Sequence, residues 1–205
     1  MISVIILAKN EAACIEQCIN SVKEFVSEII VGDDASEDNT IELARSLGAR
    51  VIPLKESVAS QGFASAVNWL IRQAREDWIL IIDADEIMEE VRYLNNLIQE
   101  DIFVWALPRR KWTDWSSKIR EEYEAYPDWQ VKFFRSGRSF RYFGKMHVQY
   151  QTSDRVHFAF RGPHIEHLQK ENRSIDKVIH RETLYNNLAK AQGVQIVGGD
   201  PIRII

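Results

Sequence analysis

Trp78-Ile79-Leu80-Ile81-Ile82-Asp83-Ala84-Asp85-Glu86 is the stretch whose reading decides the fold. Its five leading residues are apolar without a break, and three carboxylates then fall within four positions. An apolar run of this length beside charged residues reads as a strand buried on both faces. Its carboxyl end would bring Asp83, Asp85 and Glu86 out of the core together. Carboxylates so close repel one another, and partial burial raises that cost. A divalent cation relieves it, and hard oxygen ligands suit Mg²⁺ or Mn²⁺, held by one or two protein carboxylates plus substrate phosphates. A solvated turn with incidental acids is the plainer alternative.

The segments upstream alternate in period. Ile2–Leu7 and Ile29–Val31 read as buried strands, and Val51-Ile52 as a third, stopped by Pro53. Between them Ile15, Cys18, Ile19 and Val22, then Ile41, Ala44 and Leu47, recur at helical spacing. Asn39 followed by Glu42 suggests an N-cap pair for the second helix, and Gly48 closes it. Ala66, Val67, Leu70, Ile71 and Ala74 make a third amphipathic helix. This βαβαβαβ order predicts an α/β fold, a doubly wound, mostly parallel sheet with helices on both faces. Ligands of such sheets bind beyond the carboxyl ends of the strands. Lys9-Asn10-Glu11, Asp33-Asp34 and Asp83-Ala84-Asp85 fall at three such ends.

The pattern changes after Glu86. Leu94, Leu97 and Ile98 suggest one more helix and Ile102–Leu107 another strand. Residues 108–130 carry Trp, Arg, Lys and Glu without clean periodicity. Gln130–Phe134, Phe140–Tyr142, His147–Tyr150 and Val156–Phe160 read as short antiparallel strands, and Ile175 to Ala191 as a final helix. Residues 1–107 are therefore expected to form a ligand-binding half. Residues 108–205 would form a smaller mixed half of the same domain, ending in that helix.

Composition narrows the class. With 205 residues, 45% hydrophobic and 27% charged, the chain suits one soluble globular domain, or one domain with an appendage. Cys14 and Cys18 lie four apart on one helix face, which suits small core residues in a reducing compartment rather than a disulfide framework. Neither a signal peptide nor an apolar run near the ~20 residues of a membrane span is seen, so a cytoplasmic location is expected. Residues 1–104 hold 8 Lys/Arg against 19 Asp/Glu, and the rest 18 against 11. The basic second half could face an anionic acceptor, a pyrophosphate or the inner face of the cytoplasmic membrane, or simply be a solvated surface.

With these residues in view, the chain resembles the inverting glycosyltransferases of family two, above all the bacterial branch that builds lipopolysaccharide core and other surface polysaccharides. The resemblance rests on Ser3-Val4-Ile5-Ile6-Leu7-Ala8-Lys9-Asn10-Glu11 and on Val31-Gly32-Asp33-Asp34-Ala35-Ser36-Glu37-Asp38-Asn39-Thr40. It continues through Gln61-Gly62-Phe63-Ala64, Asn68-Trp69 and Trp78 to Glu86. It is specific over roughly residues 1–90; Arg109-Arg110, Tyr126-Pro127-Asp128 with Gln130, and Gly144 to His147 keep a looser outline of the acceptor half.

The resemblance implies a GT-A fold, Rossmann-like, and a metal-dependent, inverting hexosyltransferase. It would move a sugar from a UDP-sugar to a surface-glycan or lipid-linked acceptor, with no nucleic-acid partner. Ala8 and Glu11 would line base and ribose, and Asp34 would accept the uracil N3–H. Asn68 would lie among the donor contacts. Asp83 would approach the ribose or the metal, and Asp85 would coordinate Mn²⁺ or Mg²⁺ between the phosphates. His164 or His167 would add a ligand, although a hydrogen-bonded structural histidine is the commoner case. Arg109, Arg110 and Lys132 would supply positive charge, although each is more often a plain surface residue.

Two departures bear on mechanism. Val148 follows His147 where relatives often carry glutamate, and Val67 stands where many carry a basic residue. The catalytic base must then be another group: Asp128 first, with Glu121, Glu122, Glu166 and His147 as alternatives. Trp112 and Trp115 are candidates for an acceptor platform, whereas Trp105 reads as core. A catalytically degenerate nucleotide-sugar-binding protein is the competing reading. A nucleotidyltransferase ranks below it, because Lys9-Asn10-Glu11-Ala12-Ala13 replaces a Gly-rich phosphate loop.

Overall fold

A computed structural model describes residues 1–99, 101–112, 127–144 and 149–168. The first half is built as its periodicity dictates. Strands β1 (Ile2–Ala8), β2 (Glu28–Asp33), β3 (Arg50–Pro53) and β4 (Trp78–Asp83) alternate with helices α1 (Ile15–Val22), α2 (Thr40–Ser46), α3 (Val58–Gln61) and α4 (Phe63–Ile71). These strands are parallel in the order β3-β2-β1-β4. The expected mostly parallel α/β sheet, with helices on both faces, is what the chain forms.

After β4 come β5 (Glu86–Glu89), α5 (Leu94–Leu97), β6 (Val104–Trp112), β7 (Asp128–Arg135), β8 (Arg141–Phe143), β9 (Gln149–Gln151), β10 (Val156–Phe158) and β11 (His164–Leu168). The sheet continues from β4 through β7, β6 and β11 to β5, and β10 also pairs with β6. β7 is antiparallel to both its neighbours. β8 and β9 form a separate antiparallel pair. The expected antiparallel strand at Val156 is corrected: β10 runs parallel to β6, with Phe158 opposite Ala106. Two strands absent from the expectation, β5 and β11, pair antiparallel with each other. The expected helix at 175–191 lies outside the described residues.

Two apolar layers flank the sheet. Ile2, Val4, Ile6, Leu80 and Ile82 face α1, whose Ile15, Cys18, Ile19 and Val22 are buried, together with Met88 of β5 and Leu94 and Leu97 of α5. Ile5, Ile30, Ile79 and Ile81 face Val67 and Leu70 of α4, and Phe134. β2 lies close under α4: a Cβ on Gly32 would sit 2.4 Å from Leu70 Cδ1. Both cysteines are buried thiols, and among the described residues no helix is long and apolar enough to cross a membrane. The expected Asn39 cap is not used. Asn39 makes no side-chain cap bond, and Asp38 Oδ1 instead accepts from the Thr40 amide at 3.0 Å.

At the amino edge of the sheet Glu28 ties three segments together. It accepts from Ser3 Oγ (2.7 Å), Arg50 (2.7 Å) and the Arg75 amide (3.0 Å). Burial pushes its carboxyl pKa up, but the Ser3, Arg75 and Arg50 bonds prevail and hold it below the ordinary value. A carboxyl depressed in the fold stabilises above its unfolded pKa, and that contribution is lost as pH falls through the folded one. Glu28→Gln should therefore cost about 1–3 kcal/mol at neutral pH, and much less once the pH drops below the depressed value. Urea unfolding of both proteins from neutral pH down through the acid range reads this; a loss that stays constant throughout would refute it.

Candidate functional site

Because β1, β2 and β4 are parallel, their polar ends share one edge. Ala8 is opposite Asp33, and Leu7 lies between Gly32 and Asp83. The first loop is tied to the second. Asn10, at φ 53°, gives its amide to Ser36 Oγ (2.9 Å) and accepts from the Glu37 amide (2.6 Å). The Glu11 amide donates to Thr40 Oγ1 at 2.7 Å. Asp33 accepts from the Ser36 amide. Asp34, 5% exposed, has Oδ1 on the Val58 amide (3.1 Å) and Oδ2 at 3.6 Å from Lys9 Nζ. These loops place Ala8, Glu11 and Asp34 along one stretch of the edge.

Asn68 is engaged elsewhere. Its amide nitrogen donates to the Tyr142 carbonyl (2.6 Å) and its oxygen accepts from the Tyr142 amide (3.0 Å). It thus ties α4 to β8.

The acids after β4 are charge-paired from the second half. Glu86 is fully buried. It accepts from the Asp83 amide (2.9 Å), from Lys132 Nζ (2.5 Å) and from Arg109 (3.2 Å). Lys132 also reaches Asp83 Oδ2 at 3.1 Å. Arg109 grips Asp128 Oδ2 through two nitrogens (2.9 and 2.6 Å), and Gln130 donates to Asp128 Oδ1 at 2.8 Å. Arg109 and Lys132 are thus largely buried partners of acids, not surface residues.

The electrostatics follow from these contacts. Burial disfavours the Asp83 carboxylate, but Lys132 and Arg109 outweigh it and its pKa is lowered, although its side chain is 54% exposed. Burial likewise opposes the Lys132 charge, which Asp83 and Glu86 more than restore, so its pKa is raised. Arg109 is raised the same way by Glu86 and Asp128. Tyr142, whose hydroxyl donates to the Val131 carbonyl (2.7 Å), is pushed up by burial and by the charges of Asp83 and Glu86.

Asp85 faces a different partner. Its Oδ2 lies 3.2 Å from His167 Nε2, across 82 positions of sequence. Both are buried, and His167 Nδ1 has no hydrogen-bond partner among the described residues. Asp85 Oδ2 and His167 Nε2, buried and 3.2 Å apart, are a carboxylate and an imidazole close enough to share one cation such as Mn²⁺. Among the described residues no three His, Cys, Asp or Glu side chains gather to hold a metal by themselves, so a cation on Asp85 and His167 would have coordination positions left for a bound anion.

Glu166 is buried and pairs with Arg110 (3.0 Å) and His164 (3.2 Å). That hydrogen bond chiefly, against burial, raises the His164 pKa. Trp105 is buried, its Nε1 on the Leu97 carbonyl (2.8 Å). His147, Val148, Trp115, Glu121 and Glu122 lie outside the described residues, as does the side chain of Trp112. The sequence reading missed the Lys132–Glu86 pairing. Its one local trace is a lysine among apolar neighbours in Val131-Lys132-Phe133-Phe134.

A family model described as "Glycosyl transferase family 2" matches residues 3–158. An uncharacterized glycosyltransferase of Rickettsia bellii is 43% identical over 100 residues, 45% of this chain and 32% of the relative. The glycosyltransferase SunS of Bacillus subtilis is 35% identical over 82 residues, 40% of this chain and 19% of the relative. The chain spans about a third of the length of the first of these relatives. Among solved structures, glucosyl-3-phosphoglycerate synthase of Mycobacterium tuberculosis in complex with Mn²⁺, UDP and glucosyl-3-phosphoglycerate is 30% identical, with TM-score 0.45. That match covers 54% of this chain and 44% of that one. S. aureus TarS 1–349 is 22% identical, with TM-score 0.48, over 55% and 36%. TM-scores this low carry no residue roles across.

Proposed function

The chain belongs to glycosyl transferase family 2, and on that premise we propose that it transfers a hexose, with inversion, from a UDP-sugar to a glycan or lipid-linked saccharide. Its fold is the mostly parallel, helix-flanked GT-A type. The observation that carries the reading is the strand-end edge: Asp34, Asp83 and Asp85 follow parallel strands, and Asp85 meets His167 there.

Each group then has a task. Ala8 and Glu11 border the nucleoside, and Asp34 receives the uracil N3–H on a carboxylate that the Val58 amide holds in place. Asp83, fixed by Lys132, lies toward the ribose and phosphates. Asp83, Asp85, Glu86 and Asp128 are four carboxylates beside two permanent cations, Arg109 and Lys132. The excess matches one divalent cation. Asp85 and His167 would hold it, and once bound it would supply positive charge to the departing diphosphate. Asp128 is the base that takes the acceptor proton on the opposite side of the sugar. Arg109 and Gln130 keep its carboxylate in one orientation. The basic second half suits a phosphorylated or lipid-linked acceptor at the inner face of the cytoplasmic membrane.

Base selectivity tests the donor. Cytosine lacks the N3–H, so a second acceptor would face Asp34; an unpaired buried polar group costs ~1–3 kcal/mol, roughly tenfold in affinity. With Mn²⁺ present, UDP should bind at least about tenfold more tightly than CDP, and Asp34→Ala should erase the difference. Calorimetry giving equal affinities in the wild type would refute the uridine assignment. A protein that binds UDP but transfers and hydrolyses no UDP-sugar would instead be the degenerate binder.

A further inference from the structure

The two oxygens of the Asp34 carboxylate have different surroundings. Oδ1 accepts from the Val58 amide at 3.1 Å, whereas Oδ2 faces the Lys9 ammonium at 3.6 Å. That second separation exceeds the roughly 2.7–3.2 Å of an N–H···O hydrogen bond, so Oδ2 keeps room for another donor. The Lys9 side chain is 43% exposed and that of Asp34 only 6%, which puts the ammonium on the solvent side of the carboxylate.

The backbone beneath this pair is pinned. The Asp34 amide donates to the carbonyl of Ala8, directly before Lys9, at 2.9 Å. Asn10, directly after it, is bonded to Ser36 and to the Glu37 amide. Lys9 can therefore swing its four-carbon stem but not its root. Its ammonium stays within reach of whatever Asp34 binds.

Uracil presents N3–H between two carbonyl oxygens, O2 and O4, a donor flanked by acceptors. A carboxylate answers the donor, and an ammonium has donors alone to offer. We propose that Lys9 is a specificity-determining residue that donates to one of these carbonyls while Asp34 Oδ2 receives the N3–H. The neighbouring cation and anion then read two adjacent atoms of the base and hold it in one orientation. This role rests on the uridine assignment above and deepens it, because Asp34 by itself leaves both carbonyls unread.

The probes are 2-thio-UDP and 4-thio-UDP, in which sulfur, a weaker acceptor, replaces one carbonyl oxygen. By calorimetry with Mn²⁺ present, the wild type should bind one of them about tenfold more weakly than UDP. Lys9→Met should bind UDP about tenfold more weakly and should no longer distinguish that analogue from UDP. Any penalty for the larger sulfur persists in the variant, so the comparison isolates the contact. Lys9→Arg, which keeps the charge and the donors, should recover part of the discrimination.

Three outcomes in a folded Lys9→Met overturn the proposal. Equal weakening of UDP and both analogues, with discrimination kept, makes the lysine a phosphate contact. Tighter UDP binding makes it a plug on Asp34 in the free protein, and unchanged binding makes it solvated surface. Should the variant not fold, a wild type that binds both thio analogues as tightly as UDP overturns the proposal too. Wild type that binds UDP and CDP equally removes the uridine assignment itself. Failure of these expectations with the preference for UDP intact removes Lys9 alone.

Discussion

Asp85→Asn is expected to abolish Mn²⁺-dependent binding of a nucleoside diphosphate while leaving the protein folded. Asparagine keeps the size of the side chain and can still meet His167 Nε2, now 3.2 Å from the carboxylate, but it brings no charge to a divalent ion. Altering groups that merely support a metal ligand costs 10–100-fold in affinity, so losing a ligand itself should cost ~10²-fold or more. Stability should hold, because the substitution removes one of several crowded carboxylates and so relieves repulsion. Calorimetry of UDP with and without Mn²⁺ measures the loss, and circular dichroism checks the fold. An unchanged metal-dependent affinity would end the assignment of Asp85.

Asp128→Asn should lower sugar transfer by ~10²-fold or more, the scale of general-base catalysis, with donor binding unchanged. The rival role is mechanical. Asp128 anchors Arg109 through two hydrogen bonds, and Arg109 in turn touches Glu86. An anchor lost would leave a buried guanidinium short of a partner and would lower stability and donor affinity together. Asparagine preserves one oxygen acceptor for Arg109, so the two roles part in the measurements. Loss of rate alone marks the base, and loss of stability with donor affinity marks the anchor. Transfer near the wild-type rate in Asp128→Asn would remove it from the chemistry.

How much of this was legible in the sequence depends on what each residue needed to know about its partner. The four parallel strands and the shared edge were readable because Ile2–Ala8 and Trp78–Asp83 are apolar on both faces, a local property. The helices flanking them declared themselves by their 3.6-residue period in the same way. β11 was not readable: three of the four residues in His164-Ile165-Glu166-His167 are polar, and Glu166 and His167 are buried only through partners far away, Arg110 and Asp85. β5 was hidden for the same reason, the charge of its Glu86 being balanced by Lys132 and Arg109 from distant strands. Lysine in a strand reads as surface until two acids arrive from another strand. The parallel direction of β10 rests on the path of the intervening chain, which composition does not encode.

The Asn68 contact also bears on hydrogen exchange and on substitution. A helix side chain here stands in for a neighbouring strand, offering Tyr142 both the acceptor and the donor that a backbone would. The Tyr142 amide proton is then guarded by α4 rather than by a sheet partner, and its exchange rate reports the gap between that helix and β8. Aspartate in place of Asn68 would answer only half of the pair, and leucine neither. A donor sugar that recruited Asn68 would have to break that pair, so donor binding and exchange of the Tyr142 amide would rise together.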